Sequence, residues 1–229
     1  MQFELLKKYP ELSHGISKKN YKQSEIFAAN RKTYLNQQGL MPTRIAAVKQ
    51  VHGNKVLYAS LDEPTATFHA DALFTDKPNI FLTINVADCY PIFVYDPVNK
   101  IAGLAHAGWR GITKQVFCNL IDSFVLKFNS EPQNIMVSVG PGIAKCHFEI
   151  QDDVLDNFKV YEDAIFYDKE KIFVDLPGIL KKQILDRGVL LKNLQFSGLC
   201  TYCEEDLFFS RRRQKESDDV MMVYIGITE

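Results

Sequence analysis

The stretch Ile92-Phe93-Val94-Tyr95-Asp96-Pro97-Val98-Asn99-Lys100-Ile101-Ala102-Gly103-Leu104-Ala105-His106 decides the reading of the fold. Residues 92–95 and 101–105 are short runs rich in β-branched, aliphatic and aromatic side chains. Between them stands Asp96-Pro97-Val98-Asn99, with three turn formers. Pro97 presets its own φ, and Asp96 and Asn99 can bond back to nearby backbone, so the segment predicts a tight turn closing an antiparallel hairpin. Working outward, residues 45–51, 55–59, 72–75, 80–86, 135–139 and 220–227 have the same character and the same Gly, Pro, Asn or Asp boundaries. They read as further strands.

Helical spacing takes over after the hairpin. Ile112, Val116, Leu120, Phe124 and Phe128 recur every fourth residue, with Phe117 and Ile121 alongside. This predicts one helix over 112–128 with a single apolar face. Residues 152–158 and 176–187 are shorter helical candidates, the second with Pro177 in its first turn and Gly188 as its C-terminal cap. Strands that cluster early, with helices between the later ones, predict a mixed α+β protein rather than a strict βαβ alternation. No repeat, low-complexity tract or linker interrupts the chain, so 1–229 reads as one domain.

Composition excludes several function classes. Lys plus Arg number 27 and Asp plus Glu 28, a net charge of −1 on 229 residues, with 46 % hydrophobic residues. Such a chain is too apolar for disorder and too close to neutral for a dedicated nucleic-acid binder. No apolar run reaches the length of a membrane span, and the first residues lack a signal-peptide core. The expectation is a cytoplasmic, reduced protein. Its five cysteines (89, 118, 146, 200 and 203) are then thiols, ligands or nucleophiles rather than a disulfide framework.

The chemistry-bearing residues fall at strand ends. His52 follows strand 45–51, Cys89 follows strand 80–86 in Ala87-Asp88-Cys89, and His106 follows strand 101–105 in His106-Ala107-Gly108-Trp109-Arg110-Gly111. If those ends converge, two imidazoles and a thiolate meet, a three-ligand zinc site with its fourth position open to water or substrate. Copper also suits such donors; magnesium and calcium do not. The same residues admit a metal-free reading, with Cys89 as nucleophile, His106 as its base and Asp88 or Gln50 orienting the imidazole. They also admit a purely structural one, two half-buried imidazoles and a core thiol. A competing pattern is His147-Phe148-Glu149 with Cys200-Thr201-Tyr202-Cys203, which mimics a nucleobase-deaminase zinc signature. No Pro precedes Cys200, and two unrelated cysteines explain the pair better. Arg110 near a helix start and the run Arg211-Arg212-Arg213 point to a small anion such as phosphate.

Taken in order, Lys49-Gln50-Val51-His52-Gly53, Ala70-Asp71-Ala72-Leu73, Ala87-Asp88-Cys89, His106-Ala107-Gly108-Trp109-Arg110-Gly111, Gly140-Pro141-Gly142-Ile143 and Phe208-Phe209-Ser210-Arg211-Arg212 resemble one known family. It was long labelled multicopper polyphenol oxidase, or laccase-domain proteins, and was later reassigned as purine nucleoside phosphorylases with adenosine deaminase activity. The resemblance runs from about residue 45 to residue 229. It implies a four-layer α-β-β-α fold with mixed sheets and a zinc site on His52, Cys89 and His106, with copper as the older assignment. It implies phosphorolysis of adenosine, inosine and methylthioadenosine, deamination of adenosine, and small-molecule partners only: a purine nucleoside and phosphate, with no membrane and no nucleic acid, in a monomer or small homo-oligomer. Within that reading Asp88, Cys89 and Arg110 are the catalytic candidates. Gln50, Trp109, Arg110, Arg211 and Arg212 are candidates for substrate or phosphate, with Trp109 and Phe209 as stacking surfaces for a base. The family continues after the paired arginines with Asp and a Thr-Gly-Arg segment. Here Arg213-Gln214-Lys215-Glu216-Ser217-Asp218 stands instead, so no substrate role is assigned beyond Arg212. A multicopper oxidase needs on the order of ten His and Cys ligands, and this chain has five His in all.

Overall fold

In the computed structural model, which describes residues 1–17, 19, 28–60 and 66–228, the expected hairpin is the middle of the larger sheet. Strand β6 (Tyr90–Asp96) pairs antiparallel with β7 (Ile101–Ala107), Ile92 opposite Ala105 and Asp96 opposite Ile101. The turn closes as its residues dictate. The Asp96 carboxylate accepts from the backbone N–H groups of Val98 (2.9 Å) and Asn99 (3.1 Å), and Lys100 takes a φ of 52°.

Around this hairpin lies a six-stranded mixed sheet, with β8 (Met136–Val139) and β12 (Leu194–Phe196) on one side and β4 (Ala72–Thr75) and β3 (Val56–Tyr58) on the other. A four-stranded sheet packs on it, in the order β1 (Leu12–Ile16), β13 (Met221–Ile227), β5 (Ile80–Val86) and β2 (Arg44–Ala47). A small antiparallel sheet of β9 (Glu149–Ile150), β11 (Lys171–Val174) and β10 (Ile165–Asp168) lies apart from both.

Alternation along the strands assigns the layers. In β6, Phe93 and Tyr95 face the space between the two large sheets, where Leu104 meets Leu82, Ile84, Val223 and Ile225. Ile92 and Val94 point the other way, into a core closed by helices α3 (Val116–Phe128) and α5 (Leu176–Asp186). Gly103 lets α3 sit close, since a Cβ there would come 2.9 Å from the Phe124 ring. On the far face of the smaller sheet, Phe81, Met222 and Tyr224 are covered by Tyr34 and Leu35 of helix α1 (Ala28–Gln37). The order helix, sheet, sheet, helix is the expected α-β-β-α arrangement in a mixed α+β fold. Each fully buried Phe or Leu in these interfaces contributes on the order of 2–3 kcal/mol.

Several elements differ from the sequence reading. Strand 45–51 ends at Ala47; beyond it Lys49 bridges to His69, and the N–H groups of Val51, His52 and Gly53 turn to the Asp71 carboxylate. The long helix over 112–128 is two helices, α2 (Trp109–Thr113) and α3, broken at Gln115 with φ 60°. The Ile112 carbonyl that would continue the helix accepts instead from Gln115 N–H and from the Gln183 side chain. Segment 152–158 becomes a single turn, α4 (Asp152–Leu155), running into 3-10 turns over Asp156–Ala164. Helix α5 matches the expectation, with the Asp175 side chain accepting from Gly178 N–H at its start and Gly188 at φ 87° after its end. Strand β1 and helix α1 were not read from sequence; β1 carries His14 and Gly15, and few residues of α1 are apolar. Among the described residues, no helix is long and apolar enough to cross a membrane.

Candidate metal centre

The strand ends do converge. Cys89 sits in the corner between β5 and β6, and His106, next to last in β7, lies opposite Pro91 in the hairpin register. His52 comes from the loop after β2, with its ring centroid 4.9 Å from that of His106. One donor atom from each of the three lies within 4.8 Å of the others, so the trio can hold a metal ion. Two of the residues that build this corner take the left-handed backbone region, His52 at φ 55° and Asp88 at φ 76°. Such strain persists only where surrounding contacts over-determine it.

Asp71 supplies those contacts for one side. It is fully buried, and its carboxylate accepts from His52 N–H (2.9 Å), Gly53 N–H (2.7 Å) and Val51 N–H (3.3 Å) while meeting His106 Nδ1 at 2.9 Å. One side chain thus shapes the loop that carries the first imidazole and orients the ring of the second, leaving His106 Nε2 as the nitrogen that faces Cys89. Asp71 belongs to a quoted motif, but the sequence reading gave it no role. A lone acid within Ala70-Asp71-Ala72-Leu73 was the available signal, because a buried carboxylate needs several donors. Gly108 is the other enabling residue: a Cβ there would lie 2.8 Å from Cys89 Sγ and 3.1 Å from His52 Cδ2.

The electrostatics favour a thiolate. Burial pushes the Cys89 thiol up, but the His106 and His52 imidazoles together outweigh it and bring the group down to about 7. Burial likewise disfavours the charged form of His106; the Cys89 sulfur and the Asp71 carboxylate reverse this and raise it to about 9. Desolvation also opposes ionisation of Asp71, and its hydrogen bonds to His106 and the loop backbone hold it below the usual carboxylate range.

A cleft of about 330 Å³ opens beside the trio, lined by His52, Asp88, Cys89, Trp109 and Phe148 and by the basic side chains of Arg110, Arg211, Arg212 and Lys215. The expected residues differ in how far they are committed elsewhere. Arg110 lies with its guanidinium 4.2 Å from the Trp109 ring centroid and forms no ion pair among the described residues. Arg211 is bound to Ser217 O and to Asp218 (2.8 Å). Arg212 spends its guanidinium on the carbonyls of His147 and Glu149, both at 3.0 Å. Asp88 accepts from the Thr201 hydroxyl (2.6 Å) and from Arg212 N–H (2.7 Å), so it ties the β5–β6 corner to two loops. Gln50 is engaged at both ends of its amide with the backbone of Asn85 and borders a second cleft across the trio. Trp109 is half-buried against Phe158. Phe209 is a core residue, 5 % exposed, and offers no stacking face. Lys215 extends the basic lining past Arg212, where no role was assigned from sequence.

The C-x-x-C pair is not two unrelated cysteines. Cys200 and Cys203 meet His147, together with Cys146, in a second group of four donors within 4.8 Å. Glu149, the acid of the deaminase-like pattern, pairs with Lys171 at 3.0 Å instead.

The profile of a family described as multi-copper polyphenol oxidoreductase laccase matches residues 7–228. A Bacillus subtilis protein named purine nucleoside phosphorylase YlmD is 34 % identical over 170 residues, which span 72 % of this chain and 61 % of that protein. A Geobacillus stearothermophilus protein of the same name is 30 % identical over 200 residues, 81 % of this chain and 73 % of its own length. The crystal structure of a Bacillus licheniformis hypothetical protein, YfiH, superposes with a TM-score of 0.89 at 26 % identity, covering 96 % of this chain and 94 % of that one. With a profile match across nearly the whole length and the same layered fold, this chain belongs to the multi-copper polyphenol oxidoreductase laccase family.

Proposed function

We propose that this chain is a zinc-dependent purine nucleoside phosphorylase. It would cleave adenosine, inosine or methylthioadenosine with phosphate to a free purine and ribose 1-phosphate or its methylthio analogue, with deamination of adenosine as a second activity. The observation that carries the reading is the cleft, in which Arg110 and Lys215, cations with no ion pair among the described residues, stand beside a two-imidazole, one-thiol trio. Its volume lies at the lower end of the roughly 300–1,000 Å³ of small-molecule sites. The names of the relatives point the same way.

His52, Cys89 and His106 fit zinc: three mixed N and S donors, one imidazole oriented by a buried carboxylate, beside an open cleft. Zinc held there supplies a Lewis acid and lowers the pKa of a water molecule. The chain's own groups do the rest. Arg110 and Lys215 bind phosphate and place an oxygen against the anomeric carbon. The glycosidic C–N bond breaks as the C–O bond forms, and the purine leaves with its bonding pair and takes the proton that the attacking hydrogen phosphate gives up. The transition state gathers positive charge on the sugar, so positioning and charge placement dominate the rate. Asp88 acts as a positioning residue, holding Arg212 and the 201 loop at the cleft wall. Trp109 lines the cleft and would contact the purine.

Incubation of the purified, zinc-loaded protein with adenosine or inosine, with and without phosphate, tests this. Chromatography should show purine release that requires phosphate, and no nucleoside turnover would overturn the reading. Quinone formation from a phenol with bound copper would favour an oxidoreductase. Full turnover without metal, blocked by alkylation of Cys89, would favour a Cys89–His106 thiol hydrolase.

A further inference from the structure

Outside the cleft, Cys146 and His147 occupy the turn before β9, and Cys200 and Cys203 the turn after β12. The two turns are brought together by a backbone bridge between Gly142 and Cys200 and by Thr201 N–H donating to Gly142 O at 3.1 Å. Cys146 Sγ lies 3.8 Å from Cys200 Sγ and 3.7 Å from Cys203 Sγ. His147 Nδ1 is 3.2 Å from the first of these sulfurs and 3.4 Å from that of Cys203.

Those four separations match edges of a tetrahedron around one ion, and all four donors lie within 4.8 Å of one another. Zn–S bonds of about 2.3 Å place tetrahedral sulfurs about 3.8 Å apart, and a Zn–N bond of about 2.0 Å places N and S about 3.5 Å apart. A disulfide would use two sulfurs and leave the third thiol and the imidazole unexplained. Two further features prepare the donors. Cys200 Sγ accepts from Ala144 N–H at 3.4 Å and from the backbone N–H groups of Tyr202 and Cys203, the arrangement that stabilises a thiolate. The His147 ring stacks on Tyr202 at 3.9 Å and 17°, which fixes its orientation toward the sulfurs.

We infer that Cys146, His147, Cys200 and Cys203 form a second, structural zinc site, separate from the trio at the cleft. Four protein donors close the coordination, so no position stays open for water, and the site does no hydrolytic chemistry. Its work is mechanical. Arg212 donates to His147 O and Glu149 O, Thr201 donates to Asp88, and Arg213 donates to Thr201 O and Tyr202 O. A metal clamp on the two turns therefore braces the wall of the cleft without entering it.

Metal analysis of the full chain, loaded with zinc under reducing conditions and desalted, should give about two zinc ions per molecule. Cys203→Ser and Cys146→Ser should each give about one, and so should Cys89→Ser, which removes the other ion. Cobalt separates the two: the intense bands of a tetrahedral, three-thiolate centre should vanish in Cys203→Ser and persist in Cys89→Ser. Should a variant fail to fold, the wild type decides by alkylation. Cys146 and Cys203 are exposed, yet zinc should slow their modification at least about tenfold, and a chelator should restore it. Equal zinc content in wild type and Cys203→Ser, zinc-independent alkylation of the two thiols, or a disulfide within the group in reduced protein would each overturn the proposal.

Discussion

Two groups of His and Cys lie on either side of Asp88, and they are built differently. The trio of His52, Cys89 and His106 stands at the ends of strands, takes its imidazole orientation from a fully buried carboxylate, and opens on a basic cleft. The quartet of Cys146, His147, Cys200 and Cys203 stands on two turns, is half exposed, and uses a stacked tyrosine and backbone N–H groups in place of a carboxylate. Three donors, one on a strand, one in a strand corner and one on a loop, would leave a coordination position for a reactant. Four donors on loops leave none, and return loop order instead. Thr201 and Arg212 join the two through Asp88, so the second group can support the first at a distance.

The sharpest way to break this contrast is Cys89→Ala. It should reduce turnover to background and remove the metal of the trio, while metal analysis still finds the quartet filled. Asp71→Asn comes next. It weakens acceptance from His106 Nδ1, and metal affinity at the trio should fall roughly 10- to 100-fold in a chelator competition, with the quartet unchanged. Gly108→Ala forces a Cβ to within 2.8 Å of Cys89 Sγ. Denaturant unfolding should show a loss of about 1–3 kcal/mol, together with weaker metal binding at the trio. Arg110→Ala removes a charged donor that positions phosphate in the cleft and should raise the KM for phosphate about tenfold and lower kcat as well. A normal phosphate KM would remove Arg110 from the proposed anion site.

The smallest effect on either metal group belongs to His14, a buried imidazole outside both. His14 accepts from Phe3 N–H at 2.8 Å, and burial lowers its pKa from 6.5 to about 4. It stays neutral when folded, whereas the unfolded chain binds its proton near 6.5. Stability is therefore intact above that pH, falls as pH drops from 6.5 to about 4, and is not lowered further by this group below that. The full loss is about 3 kcal/mol. Denaturant midpoints across this window should show it, and His14→Gln should flatten the slope without altering metal content.

Much of the frame is legible from residue patterns because it rests on local periodicity. The alternation in residues 92–95 and 101–105 places Phe93 and Leu104 on one face and Ile92 and Ala105 on the other, as observed. Helix 112–128 was legible as an apolar stripe. Its break at Gln115 was not, because the Gln183 side chain that takes the Ile112 carbonyl lies on another helix. Cys89 and His106 were legible at strand ends, whereas His52 stands on a loop past the end of β2, and Asp71 was not seen as the group that sets the trio, since its role exists only once the 51–53 loop folds over its carboxylate. Phe209 reads as a stacking surface beside Arg211 and Arg212, but it faces the inter-sheet core. Cys146 carries no assignment from sequence, since its thiol partners Cys200 and Cys203 lie more than fifty residues away in the chain.

The sequence by itself determined the class of fold, the neutral surface, and which residue types could do chemistry, because composition and period act over a few residues. The tertiary structure alone decided which of those residues meet. Ligand distances depend on where loops land after the sheets have packed, and that is set by contacts between segments far apart in the chain. Cys146 and Cys203 became neighbours at 3.7 Å for this reason, and the tempting C-x-x-C pattern gained its remaining partners only there.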